Sequence, residues 1–241
     1  MTKNTKDMKQ GILIPTLIIA VSVVLLGLLL KTGIENIMKQ DRTVNVKGLS
    51  VREVKADHVI WPIVHHEVGN NLQEMYQSVE RKNQIIISFL LKQGIGEKEI
   101  SIGQMQTQDG KNIYSNEQAA NRYHITANIT VSTDKVDLVC QLLAKYSELL
   151  KEGVAITGNG DYENPIQFQY TKLNDVKLPM IEEATKKARE AGEKFAQDSG
   201  SKLGKIKEAN QGVISMEDRD PYSKQFKTIR VVTSVTYYLE D

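Results

Sequence analysis

Hydrophobic residues are spread along this chain in two ways. One unbroken run lies near the start, and after it short alternating stretches are separated by longer segments of helical period. The run, GILIPTLIIAVSVVLLGLLL at 11–30, carries no charge. As a helix it would rise about 30 Å, the thickness of a bilayer's hydrocarbon core. Pro15 sits near its start, where a missing backbone donor costs least. Lys3, Lys6 and Lys9 precede it against a single Asp7, while Lys31 and Lys39 after it are offset by Glu35 and Asp41. Basic flanks stay cytoplasmic. The expectation is a single-pass transmembrane signal anchor over 11–30 in the inner (cytoplasmic) membrane. Residues 1–10 form its cytoplasmic segment, 31–42 a linker, and 43–241 a domain delivered to the extracytoplasmic, periplasmic side. Ala20-Val21-Ser22 mimics a cleavage site, so a cleaved signal peptide is the alternative. Against it, removal there would leave VVLLGLLL exposed at the new start.

Beyond the linker, TVNVKGLSVREV at 43–54 is β-rich, with Gly48 interrupting the pattern as a bulge or bend would. HVIWPIVHHEV at 58–68 is a second strand, and its Pro62 argues for an edge or a bulge. Asn70-Asn71 with Glu74 predicts a helix start. Leu72, Met75, Tyr76, Val79, Ile86 and Leu90 would be its inner face and Gly94 its stop. Residues 98–107 read as a strand, 109–121 as a loop, and Tyr123, Ile125, Ala127, Ile129 and Val131 as one face of another strand. A second helix follows a cap at Thr133 or Asp134, with Val136, Val139, Leu143, Tyr146 and Leu150 inward. Short strand candidates at Val154–Thr157 and Ile166–Tyr170 flank the turn-rich GNGDYENP. A third helix spans about 176–199, with Pro179 in its first turn and an inner face of Met180, Ala184, Ala188, Ala191 and Phe195. Glu182–Lys186, Glu183–Lys187 and Glu190–Lys194 are its i,i+4 pairs. Strands at roughly 203–214 and 227–239 complete the chain. The pattern predicts an α+β fold, with antiparallel sheets and three main helices packed on one face, preceded by the transmembrane helix.

Charge and cysteine content narrow the function classes. The 241 residues hold 31 Lys and Arg against 30 Asp and Glu, and the first thirty carry +2 of that balance. The remainder is too even to suggest nucleic acid or an anionic surface as partner. Cys140 is the sole cysteine, so no intrachain disulfide can form, and its helical setting suits a small apolar residue.

Several stretches resemble the SIMPL-domain family, long described as a domain of unknown function. VNVKGLSVREVKADHV is similar to the family's first strand, and GIGEKEISIGQMQT at 94–107 to its helix-to-strand passage. EEATKKAREAGEKFAQDSGSKLGKI at 182–206 looks like its Ala-rich basic helix running into a Gly-x-x-Leu-Gly turn. Tyr123 stands where the family often has Gly-Tyr, with Arg122 replacing the glycine. The resemblance covers most of 43–239. It implies an envelope protein, in some members connected with stress resistance, and ring-like homo-oligomers. It supplies no catalytic site to carry over.

Candidate chemistry is sparse. His65, His66 and Glu67 are clustered metal-type residues, but on a strand His65 and Glu67 share a face while His66 points away. His124 could join from another strand, and His58 is near in sequence. Polar or partly buried strand histidines are the expected outcome, able to titrate near neutrality. No Gly-x-Ser-x-Gly elbow is present, and the glycines of GVAITGNGD precede no helix. Glu217, Asp218 and Asp220 flank Arg219 beside Pro221 as a solvated loop, without a calcium-loop pattern. Trp61 with Pro62, and Tyr237 with Tyr238, read equally well as core or as subunit contacts. No catalytic, cofactor or metal residue is assigned. The expectation is a non-catalytic, self-assembling envelope protein with the lipid bilayer as partner through 11–30. The alternative is a small-ligand sensor with a cleft under loops 109–121 and 158–165.

Overall fold

The computed structural model describes residues 19–34, 42–110, 121–157 and 165–240. In chain order the elements are α1 (19–34), β1 (Thr43–Lys55), β2 (His58–Gly69), α2 (Leu72–Lys92), β3 (Ile100–Ile102), β4 (Gln106–Asp109) and β5 (Tyr123–Thr133). There follow α3 (Val136–Lys145), α4 (Ser147–Lys151), β6 (Ile156–Thr157), β7 (Gln167–Gln169), α5 (Leu173–Asp198), β8 (Lys202–Asp218) and β9 (Phe226–Glu240). The antiparallel α+β character is as expected.

The transmembrane helix is not. Among the described residues no helix is long and apolar enough to cross a membrane. In α1 the uncharged residues 19–30 are followed by Lys31. The whole element rises about 24 Å, short of the roughly 30 Å a bilayer core demands. Residues 11–18 of the predicted span, and 35–41 of the predicted linker, lie outside the described residues.

The chain divides into two compact units. The larger contains Val51–Leu178 and Ser215–Arg230. Its axis is β2 paired antiparallel with β5 from Val59↔Thr133 to Gly69↔Tyr123. β3 and β4 line the far edge of β5, and β6 and β7 the far edge of β2. The central place of β2 contradicts the edge suggested by Pro62, and the ladder shows why proline is tolerated. β7 pairs with His58–Ile60 and β6 with Val64–His65, so Pro62 falls in the gap, where its missing N–H leaves no rung broken. Alternation puts Val59, Trp61, Ile63, Ile129 and Val131 on one buried face, covered by Ile86 and Leu90 of α2, Val139 and Leu142 of α3, and Leu149 of α4. Trp61 is therefore core and offers no subunit contact.

Asn71 caps α2, its Oδ1 accepting from the Gln73 and Glu74 amides. The buried stripe of α2 is Met75, Val79, Asn83, Ile86 and Leu90, while the predicted Leu72 and Tyr76 are exposed. Gly94 ends it at φ 98°, a left-handed turn that suits glycine. The predicted second helix breaks at Tyr146, which turns Leu149 inward and leaves Tyr146 and Leu150 exposed. Between the sheet and α3, the Glu99 carboxylate accepts from the Gly96 amide at 2.6 Å, the Thr133 hydroxyl at 2.7 Å and the Lys135 ammonium at 2.9 Å.

The smaller unit contains the described residues up to Ser50, Pro179–Ile214 and those from Val231 onward. β1, β9 and β8 pair in that order in a three-stranded sheet. The buried face of α5 is Met180, Ala184, Ala188, Gly192 and Ala196, a strict i+4 row. The predicted Ala191 and Phe195 drift off that row, and Phe195 is 52% exposed. The expected single layer of three helices is thus divided, α2 and α3 serving the larger unit and most of α5 the smaller. Of the predicted ion pairs Lys187–Glu183 forms at 2.7 Å, whereas Lys194 reaches Asp198 instead of Glu190. Tyr237 is buried with Val44, Ala188 and Val235. At Gly48 a Cβ would lie 1.8 Å from the Ala184 carbonyl oxygen and 2.5 Å from the Ala188 nitrogen. Small residues on α5 and a glycine on β1 let helix and strand backbones approach closely.

Gly48→Ala is expected to lower unfolding free energy by about 2–3 kcal/mol, since neither backbone can yield; an unchanged urea midpoint would refute the close approach. Glu99→Gln should cost about 1–2 kcal/mol at pH 7. Desolvation alone would raise the Glu99 pKa, but the Gly96 amide, Lys135 and Thr133 outweigh it and hold it at about 2 against an ordinary 4.5. A depressed carboxylate pKa stabilises above its unfolded value. The gap between Glu99→Gln and the parent should therefore close as pH falls from 4.5 toward 2 in denaturation curves taken across that range.

Candidate functional site

Three of the four histidines meet on β2 and β5 in the larger unit. Strict alternation divides them between the two faces of the sheet. His65 lies opposite Ala127 on the core face and is fully buried. Its Nε2 is 2.8 Å from Oδ1 of Asn83, itself buried on α2. An amide oxygen only accepts, so Nε2 carries the proton and Nδ1 is a bare lone pair. That Nδ1 is buried without a hydrogen-bond partner. Glu67 returns to the same face and pairs with Lys82 of α2.

On the other face His66 lies opposite Thr126, and His124 lies opposite Val68, one step along the diagonal. His66 Nδ1 is 3.0 Å from the Thr126 hydroxyl and 3.2 Å from His124 Nε2, with ring centroids 5.0 Å apart and planes at 50°. The direction of each contact follows the rings' tautomers: a neutral His66 with its proton on Nε2 accepts at Nδ1, and one with its proton on Nδ1 donates there. Burial lowers the His65 pKa below 6.5, against the Asn83 hydrogen bond that raises it. Burial and the neighbouring His124 also lower that of His66.

The remaining candidates are structural. His58 bonds Asp134 through Nδ1 at 2.7 Å and Ser132 through Nε2 at 3.0 Å. The Cys140 pKa is raised by burial and by Asp137, which leaves a protonated, poorly nucleophilic thiol. Asp220 accepts from the Tyr222 and Ser223 amides and from Arg219, closing the β8–β9 turn. Asp218 pairs with Lys227, and Glu53 with Arg219 at 3.8 Å. Among the described residues no group of three or more His, Cys, Asp or Glu is arranged to hold a metal ion. Residues 111–120 and 158–164, which include most of the loops expected to cover a ligand cleft, lie outside the described residues. An open cleft of about 670 Å³ occurs elsewhere, in the smaller unit, between Glu182, Lys186 and Arg189 of α5 and Leu203, Lys205 and Ile206 of β8.

Sequence reasoning divided His65 and Glu67 from His66 and named His124, but missed Asn83, Lys82 and Thr126. A signal for Asn83 was present: it is the polar residue in the apolar stripe Met75, Val79, Ile86, Leu90. Thr126 becomes visible only once the register is known.

The depressed histidine pKa values have a defined sign. Below pH 6.5 the unfolded chain binds protons that the folded His65 and His66 refuse, so stability falls as pH falls. The expected loss is up to about 1.4 kcal/mol per histidine per pH unit. Urea unfolding at pH 7.5 and 5.5 tests it, and equal midpoints would refute it.

Nothing in this geometry assembles a nucleophile with a base, a phosphate cradle or a metal cage among the described residues. A comparison with curated proteins gave no match. A family model does match, over residues 44–237, from β1 through β9 and hence across both units. The chain belongs to the SIMPL family, whose description is a protein of unknown function (DUF541).

Proposed function

We propose that this SIMPL protein is a non-catalytic assembly module that packs with copies of itself along the outer edge of β8. The observation that carries the reading is the character of that edge. β8 ends the sheet order β1-β9-β8, and every residue from Lys205 to Gln211 is exposed. Ile206 is 54% and Val213 84% exposed. An edge strand presents unpaired N–H and C=O groups that template another strand. Its sequence supports an isologous, antiparallel pairing. In such a pairing the two-fold axis passes through a residue that faces its own copy; centred on Ala209 it sets Lys207 against Gln211 and Glu208 against Asn210, with no like charges opposed. An extracytoplasmic setting and a link to envelope stress belong to this proposal through the family resemblance.

A second reading, a small-ligand binding domain, is favoured by the 670 Å³ cleft beside the start of β8, with Lys186, Arg189, Lys205 and Glu182 at its walls. Saturable thermal stabilisation by small charged metabolites would support it.

Light scattering after size exclusion of the full chain is expected to give a discrete multiple of the protomer mass. Ala209→Lys, which opposes two like charges across the axis, should raise the dissociation constant at least about tenfold. A monomer at all concentrations, or no effect of Ala209→Lys, would overturn the reading.

A further inference from the structure

Two imidazoles stand side by side on adjacent strands, their ring centroids 5.0 Å apart. We propose that His66 and His124 form a two-imidazole clamp for a divalent transition-metal cation of the zinc, nickel or copper kind, with water completing the coordination. The spacing is the first argument. At Zn–N of about 2.0–2.1 Å, nitrogens 3.2 Å apart subtend an N–metal–N angle of roughly 100–105°, close to tetrahedral. The ladder already holds both Cα atoms, so binding requires only that the rings turn about their χ angles, and little entropy is lost on closure.

Protonation is the second argument. Imidazole binds metal through an unprotonated nitrogen. In the tautomer with its proton on Nε2, His66 offers Nδ1 as such a lone pair, and a metal there displaces the contact with the Thr126 hydroxyl, which turns away about its own χ1. His124 offers Nε2 in the tautomer that carries its proton on Nδ1, which exchange with solvent supplies, so no oxidant or co-reactant is required. The surroundings are the third. Gln106 pairs with Thr126 and Gln108 with His124, which puts two neutral amides on this face. Asn128, diagonal to His66 on the same face, has a side-chain oxygen without a hydrogen-bond partner. His65 and Glu67 belong to the opposite face, so the clamp is limited to two protein ligands and its affinity to that of an exchangeable site.

The test is zinc chloride titrated into the metal-stripped full chain by calorimetry at pH 7.5. One zinc per chain is expected. His66→Ala or His124→Ala should each weaken binding at least about tenfold and His58→Ala should not. Imidazole nitrogen resonances of the unmodified chain give an answer that needs no variant: zinc should shift His66 Nδ1 and His124 Nε2. Binding unchanged in the double alanine variant, zinc shifts confined to His58, or no heat at millimolar zinc would each overturn the proposal.

Discussion

The larger unit depends on one interaction, the eleven-residue antiparallel pairing of β2 with β5. It joins segments far apart in sequence, yet closing so long a loop is only logarithmically dearer than closing a short one. What secures it is burial on one face. Val59, Trp61 and Ile63 meet Val131 and Ile129 under the helices, while Ile60, Pro62 and His66 opposite remain half-exposed. A slip of one residue would exchange these sets, removing tryptophan from the core and inserting proline and histidine. The short strands β3, β4, β6 and β7 add rungs to a register that is already decided.

The smaller unit solves a different packing problem. Its helix presents Ala184, Ala188 and Gly192 where a typical helix presents leucine, and the facing strand contributes Gly48. Backbones that approach this closely gain dispersion contacts along the chain itself, and they lose them to any added methyl group. Gly192 repeats the principle, since a Cβ there would lie 3.2–3.4 Å from Leu203 and Tyr237 side chains. Tight contact of this kind is sensitive in proportion to its closeness.

Much of this was legible in the sequence, and the misses have physical causes. Alternation identified the β5 face, and the Asn71 cap and Gly94 stop bounded α2, because these signals are local. The α5 stripe was misplaced at its end because a 3.6-residue period cannot distinguish an i+4 row from a mixed one without knowing how the helix lies on its sheet. Pro62 signals an edge or a bulge in the sequence because the gap between β6 and β7 that accommodates it is created by segments about a hundred residues downstream. The apolar run was measured by its length, whereas the described helix begins at residue 19 and runs past Lys31. At the site, alternation sufficed to part His65 from His66. Bringing His124 beside His66 requires a register between strands, which no local pattern contains.

The buried His65–Asn83 pair shows what polarity contributes to such a fold. An unpartnered buried Nδ1 costs on the order of 1–3 kcal/mol, and replacing both members by apolar groups of the same shape could be nearly neutral. Net stability therefore does not account for the pair. Register does: Asn83 on α2 meets a histidine only when β2 presents its odd-numbered residues to the core. In the slipped arrangement Asn83 would be buried with no donor opposite, and His65 would be turned outward. The penalty then falls wholly on the wrong structure. The same alternation leaves His66 on the accessible face, within reach of His124. One buried polar contact thus reinforces the register that apolar burial sets, and with it the pairing of His66 and His124.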